Sequence, residues 1–433
     1  MLRHKAVRLA LVAFVFLALA TPSFAAGREK VLFRFNYTDG FTPFAPVIFD
    51  EAGNLYGTTS NGGKYLGGNV YELSPTPDGN WKETVLYYFC RVSCDGAVPD
   101  AGLVFDTAGN LYGTGGFGAY RDGVVFELSP NVDGTWTETV LHSFGSSGDG
   151  IAPEYGSLLM DAAGNLYGTT ALGGTGSCEF NGYPGCGTVF ELSPGAGGQW
   201  TEKVLYSFQN DRQDGNFPYG GLVADSSGNL YGTTSEGGFS RRHCFNGSCG
   251  TVFELTPGAD GTWKETILYY FEGHNGSDPI STLTVDPSGN LYGVTTLGGR
   301  LTCGSPYGCG TVFELTPNGN GTWTEQILRS FHNGRFPRGK LVFDAAGSLY
   351  GTTWLGGRYD DGSCGYGCGT VFKITPSGSG QWTETTLHSF GGKRDGWQPG
   401  AGVIFDSAGN LYGTTVWGGR ENCPCGTVFE LTP

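Results

Sequence analysis

The sequence predicts an all-β protein built as a closed ring of four-stranded antiparallel sheets, and three observations carry that prediction. Glycine supplies 77 of the 433 residues and charged residues only 15 %, against usual shares of about 7 % and about 25 %. The phrase D-x-x-G-[NS]-L-Y-G occurs seven times, beginning at Asp50, Asp106, Asp161, Asp225, Asp286, Asp344 and Asp406. Each of these units, 55 to 64 residues from the next, holds four short β-branched and aromatic runs bounded by Gly, Pro, Asn and Asp, which is the signature of strands. The composition excludes other classes. Collagen needs glycine at every third position, long helices would lose about 1 kcal/mol at each internal glycine, and 39 % hydrophobic with 14 % aromatic residues is too much apolar surface for a disordered chain.

The unit around Asp225 shows the four runs: LVA at 222–224, NLYGTT at 229–234, GTVFELTP at 250–257 and WKETILYYF at 263–271. We call them strands a, b, c and d. A short Asp-x-x-Gly-Asn turn joins a to b, and a Pro and Gly turn joins c to d, so the four strands form an antiparallel meander. Four strands repeated radially make a propeller blade, and seven blades lie within the usual range. The ends of the chain fit this reading. The last unit stops at strand c with Pro433, and EKVLFRF at 29–35 matches ETVLYYF at 83–89. An N-terminal strand that completes the last blade leaves no open sheet edge. Residues 26–433 are therefore expected to form a single seven-bladed β-propeller, with an open-ended solenoid of the same units as the alternative.

Residues 1–25 read as an export signal. Arg3, Lys5 and Arg8 precede the apolar run LALVAFVFLALA at 9–20, and small residues follow at Ser23 and Ala25; this is the pattern of a cleaved leader, and the run is too short to span a bilayer. The formal net charge of −15 argues against nucleic acid or an anionic membrane as partner.

The phrases GNLYGTTSNGG, GCGTVFELSP and VLYSF, which recur over nearly the whole chain after residue 25, resemble the GloVer tandem repeats of bacterial exported proteins. The resemblance implies an extracellular or surface location, often with a carboxyl-terminal sorting signal. This chain ends at Pro433 without a hydrophobic tail, which favours release. The resemblance implies no activity and no catalytic residues.

The 12 cysteines stand as near neighbours: Cys90 with Cys94, Cys178 with Cys186, Cys244 with Cys249, Cys303 with Cys309, Cys364 with Cys368, and Cys423 with Cys425. An even count behind a leader points to disulfides. Five pairs lie between strands b and c, with the second member directly before Gly-Thr-Val-Phe. Equivalent positions of neighbouring blades are too far apart for a bridge, so pairing is expected within each blade, and the Cys-Pro-Cys pair is left open. Spacings that vary from two to eight residues disfavour a zinc site. No metal and no cofactor is expected.

In a four-stranded blade the d-to-a and b-to-c connections share one face, which becomes the candidate binding surface. The d-to-a motif [DN]-G-x-x-P reads as a turn. The residue after its proline varies: Phe44, Asp100, Glu154, Tyr219, Ile280, Arg338 and Gly400. Six tryptophans open strand d and read as packing residues, while Trp354, Trp397 and Trp417 fall in candidate-face segments near Arg338, Arg358 and Arg420. Aromatic faces beside cations suit a sugar ring or an acidic saccharide. The expected function is therefore non-catalytic binding of carbohydrate or an extracellular protein by a monomer, with packing at the closure seam as the competing role for these tryptophans. The alternative is a propeller enzyme of the lactonase, glycosidase or lyase type using Asp100 and Glu154 as an acid–base pair. His142 and His388 take the strand d position of Tyr87, Tyr206 and Tyr269 and read as outer-strand residues.

Ring closure yields a first expectation. Deleting residues 26–36 should abolish the cooperative thermal transition, followed by circular dichroism, because it opens the ring and exposes an edge. An open stack would melt almost unchanged.

Overall fold

Every repeat begins with an aspartate that builds its own turn. Asp225 Oδ1 accepts the N–H groups of Ser227 and Asn229 at 2.8 and 3.0 Å, and Oδ2 accepts Asn229 Nδ2 at 2.9 Å and the Tyr231 hydroxyl at 3.0 Å. Local side-chain bonding of this kind is why Asp and Asn mark turns. In the sixth unit Ser348 stands where the others have Asn, and Lys373, in place of the usual strand c glutamate, supplies the missing donor to Asp344 at 3.1 Å. The computed structural model in which these contacts occur describes residues 27–90, 96–116, 122–153, 155–209, 211, 213–239, 244–301, 305–332, 335–358, 364–378, 380–391 and 394–433. No helix among them is long and apolar enough to cross a membrane.

The turns join strands a and b within seven four-stranded sheets, each ordered a-b-c-d. The fourth consists of Val223–Ala224, Leu230–Thr234, Thr251–Pro257 and Trp263–Tyr270. The seventh closes the ring. Ile404–Phe405, Leu411–Thr415 and Thr427–Thr432 come from the end of the chain, and Arg28–Arg34 is its strand d. Arg28 pairs with Thr432 and Arg34 with Thr427, antiparallel. The protein is thus a seven-bladed β-propeller.

The core lies in the seams between sheets. One cluster joins Tyr112, Val125 and Phe144 of the second unit to Leu158, Leu166, Phe190 and Leu192 of the third. At its centre the phenylalanine that follows strand d meets a strand c aromatic of the next unit edge to face. This pair recurs at Phe35–Tyr71, Phe89–Phe126, Phe144–Phe190, Phe208–Phe253, Phe271–Phe313, Phe331–Phe372 and Phe390–Phe429, with ring centroids 5.0 or 5.1 Å apart. Such pairs add about 0.5–1.5 kcal/mol beyond the area they bury. The glycine of L-Y-G makes room for the strand c ring within each sheet: a Cβ on Gly168 would stand 2.5 Å from Phe190 Cζ. The six tryptophans that open strand d pack at the same seams, as Trp200 does against Tyr112.

The d-to-a connections share one strained conformation. The residue before the motif proline, Thr42, Val98, Ala152, Phe217, Asp278, Phe336 or Gln398, has φ between 47° and 60°. A non-glycine residue held there costs about 1–2 kcal/mol. Two backbone hydrogen bonds hold it. Phe217 N–H donates to the Cys186 carbonyl at 2.9 Å, and its own carbonyl accepts Ser235 N–H at 3.1 Å. Thr42, Asp278, Phe336 and Gln398 likewise donate to the carbonyls of Cys425, Cys249, Cys309 and Cys368. The proline then lies on the glycine that opens strand c: a Cβ on Gly187 would meet Pro218 Cδ at 2.4 Å. These bonds set the d-to-a and b-to-c connections side by side on one face.

Ala152→Gly relieves this strain. We expect a gain of about 0.5–1 kcal/mol, the αL cost less the entropy of glycine, measured by urea denaturation; a loss of stability would show the position to be unstrained.

Candidate functional site

The cysteine-bearing loops brace this face. Disulfides join Cys178 to Cys186, Cys244 to Cys249, Cys364 to Cys368 and Cys423 to Cys425, with Cα atoms 4.9 to 5.2 Å apart. Each is within one unit, and the Cys-Pro-Cys pair is formed. Cys90 and Cys309 are also disulfide-bonded; Cys94 and Cys303 lie outside the described residues. Because the second cysteine of a pair gives its carbonyl to the strained residue of the next connection, each bridge steadies two loops.

Toward the axis, the residues that follow the motif prolines gather with partners from their own and other units. The Phe44 and Trp354 rings lie 5.9 Å apart. The Arg338 guanidinium sits over the Trp354 ring, 4.5 Å from its centroid. Gly400 leaves space that Phe44 fills, since a Cβ there would meet Phe44 carbonyl oxygen at 3.0 Å. Tyr219 packs edge-on against Tyr155 at 4.8 Å. Glu154 lies outside the described residues. Asp100 accepts a hydrogen bond from the Ser60 hydroxyl. Asp278 is the one ionisable residue among the seven strained positions. Burial pushes its carboxyl up to about 6 against the opposing pull of Arg338. A polar cleft of about 420 Å³ opens between the third and fourth units, lined in part by Glu179, Gln209, Asn216, Phe217, Glu236 and Asn246.

The remaining residues singled out from sequence divide between face and seam. Trp397 and Trp417 stand opposite each other in a two-residue ladder. Trp397 packs on the cluster of Cys364, Cys368 and Phe390, and its indole nitrogen is buried without a partner. Arg420 donates twice to the Arg34 carbonyl, at 3.1 and 3.0 Å, so it ties the seventh b-to-c loop to the closing strand. Arg358 is exposed. The structure thus brings Trp354 and Arg338 together and pairs Trp397 with Trp417. Sequence reasoning passed over Ser60, Tyr155 and Asp278; comparing the pre-proline residues across units would have exposed Asp278.

The outer part of each seam carries a polar node. Strand d has a glutamate four residues before the variable position of its V-L-x-x-F stretch, and in the structure it approaches the variable residue and the motif Asp or Asn of the preceding unit. Where the variable residue is tyrosine, its hydroxyl donates: Tyr206 to Asp214 at 2.9 Å and Tyr269 to Glu325 at 3.4 Å. Where it is Arg329, that guanidinium forms an ion pair with Glu384 at 2.7 Å, and Arg335 pairs with the other oxygen. Where it is histidine, His142 lies 3.1 Å from Asp149 and His388 3.2 Å from Asp395. Burial, reinforced by neighbouring carboxylates, pushes Glu83 and Glu265 up to about 8.

The sequence family follows from the same repeated residues. The family model of the Gloeobacter/Verrucomicrobia repeat matches residues 21–178, 175–365 and 303–433. The chain belongs to the Gloeobacter/Verrucomicrobia repeat family. A search of curated proteins finds no match. Among solved structures, this repeat protein is similar to a luciferin-regenerating enzyme at 14 % identity and a TM-score of 0.44, over 94 % of this chain and 95 % of that one. It is also similar to a gluconolactonase from Xanthomonas campestris at 15 % identity and a TM-score of 0.39, over 75 % and 85 %. At these values neither activity transfers.

The Glu265 node makes stability depend on pH. A carboxyl raised in the folded chain stays protonated where the unfolded chain, near pH 4.5, has released its proton. Its contribution is full below that pH and is lost as pH rises through about 8. Glu265→Gln should therefore be near neutral at pH 5 and more stable than the parent at pH 8.5, by up to about 4 kcal/mol, in urea melts at both pH values. Equal differences at the two pH values would contradict it.

Proposed function

We propose that this repeat protein is an exported, non-catalytic binding propeller that takes carbohydrate at the axial mouth of its cysteine-braced face. The observation that carries the reading is the Phe44–Trp354–Arg338 stack. An aromatic surface with a guanidinium held over it offers both apolar stacking and a charge-assisted donor, the two contacts an acidic saccharide needs. The polar cleft between the third and fourth units has the amide and carboxylate lining that hydrogen-bonds sugar hydroxyls. Four disulfides fit an oxidising compartment, and residues 1–25 have the pattern of a leader that would deliver the chain there. Trp397 and Arg420, with their seam contacts, serve closure in this reading.

A glycan array tests it. Acidic polysaccharides are expected to bind, and Trp354→Ala and Arg338→Ala should each weaken binding about tenfold, the equivalent of about 1.4 kcal/mol. Unchanged affinity in both variants would remove the mouth as the site, and a silent array with a co-purifying protein would favour a protein-binding platform.

A second reading is supported by one observation, the Asp278 carboxyl held near pH 6 beside Arg338. A carboxyl poised there suits general acid–base work. Turnover of a lactone or polysaccharide panel that Asp278→Asn abolishes would establish the enzyme in place of the binding protein.

A further inference from the structure

Two of the seam nodes have a composition that the others lack. His142, Asp149 and Glu202 meet between the second and third units, and His388, Asp395 and Glu29 meet between the sixth and the seventh. In each trio one ligand atom per residue lies within 4.8 Å of the other two. We propose that these trios are a pair of equivalent zinc sites, each binding Zn²⁺ through one imidazole nitrogen and two carboxylates and clamping strand d of one unit to the next.

The donor set comes first. A tetrahedral zinc ion with bonds of about 2.1 Å places its ligand atoms about 3.4 Å apart. The Nε2–Oδ2 separations of 3.1 and 3.2 Å require little adjustment. One nitrogen and two carboxylates fit a borderline-soft ion with a fourth position left to water; calcium, which takes six to eight oxygens, is poorly served.

Each trio also holds an unsatisfied oxygen. Oε1 of Glu29 and of Glu202 is buried with no hydrogen-bond partner, as Oε1 of Glu83, Glu265 and Glu325 is at other nodes. At the Tyr269 node a hydroxyl donates to the other oxygen of Glu325, and at the Arg329 node Arg335 donates to Glu384 while Arg329 lies in ion-pair range. In the histidine trios the ring nitrogen already faces aspartate, so one proton cannot serve both carboxylates, and a divalent cation can.

The ligand atoms are also preorganised. The outer oxygen of each aspartate is fixed by the following glycine, Gly150 N–H at 2.6 Å and Gly396 N–H at 2.7 Å. Each imidazole is held edge-on by a phenylalanine of its own unit, Phe144 and Phe390, at 4.7 Å. Support of this kind behind the ligand atoms is what fixes metal ligands in place. The same arrangement stands twice in the ring. The second trio draws Glu29 from the N-terminal strand, so an ion there would also lock the closure.

The test uses the untagged protein, stripped with EDTA and titrated with zinc chloride by calorimetry at pH 7.5. The parent should bind two ions per chain and gain thermal stability. His388→Tyr should bind one, and the double variant with His142→Tyr none. Tyrosine is the residue that Tyr206 and Tyr269 place at this position, so the variants keep a side chain the seam accepts. A melting curve in EDTA verifies their fold. A second readout needs no variant: zinc should protect His142 and His388 from diethyl pyrocarbonate while His274 and His332 stay reactive. A parent that binds no zinc at micromolar concentration, a double variant that keeps both ions, or equal modification with and without zinc would overturn the proposal.

Discussion

An aromatic ring that ends each outer strand, set edge-on against an aromatic ring of the next sheet, is the contact on which the rest of the molecule depends. No sheet here has a core of its own. Each exposes two apolar faces, and only a neighbour on both sides buries them, so the units are stable as an array. The contact also explains much of the composition. The strand c ring can lie flat on strand b only where strand b has no side chain, and the proline that leads into the next unit needs the same bareness where strand c begins. The glycine excess is thus the complement of the aromatic and proline content, position by position, around a closed circle.

The architecture was legible because it is written seven times. A turn built by Asp225 or by Asp406 uses the same few atoms, and local chemistry that repeats reads as well from sequence as from coordinates. Even the matched change of Ser348 with Lys373 is visible as paired departures from the pattern once the turn is known. The site was less legible because it is made of contacts across units. Nothing in the sequence says that Arg338 lies over Trp354 of its own unit and beside Asp278 of the preceding one, or that Phe44 covers Gly400 from the far end of the chain. The tryptophans show the same limit. Trp354 and Trp397 look alike in sequence, and one lies under a guanidinium at the mouth while the other fills the seam. The glutamates of strand d were harder still, since alternation along an outer strand gives them the look of solvent-facing residues until the neighbouring blade is placed against them.

Those glutamates also change the meaning of the charge. A formal count of −15 treats every carboxyl as ionised, yet Glu83 and Glu265, with carboxyls near 8, are largely protonated at neutral pH, and Glu29 and Glu325, near 7, are about half protonated. The aspartates that build turns, such as Asp106 and Asp225, are instead held low by backbone and amide donors despite burial. The turn aspartates keep their charge on the a-to-b face, and the seam nodes at Glu83 and Glu265 are closer to neutral than the sequence implies. A cationic stack at the opposite mouth meets less opposing field than the total suggests.

The left-handed residue before each proline has a consequence for how such a face diversifies. Its geometry is set by backbone partners, so residues as different as Thr42, Ala152, Phe217 and Gln398 occupy it without altering the loop. The next residue inherits a fixed position whatever its side chain. Each unit behaves as an interchangeable socket, and the mouth as a seven-letter word that substitution can rewrite one letter at a time while the ring that spells it stays the same.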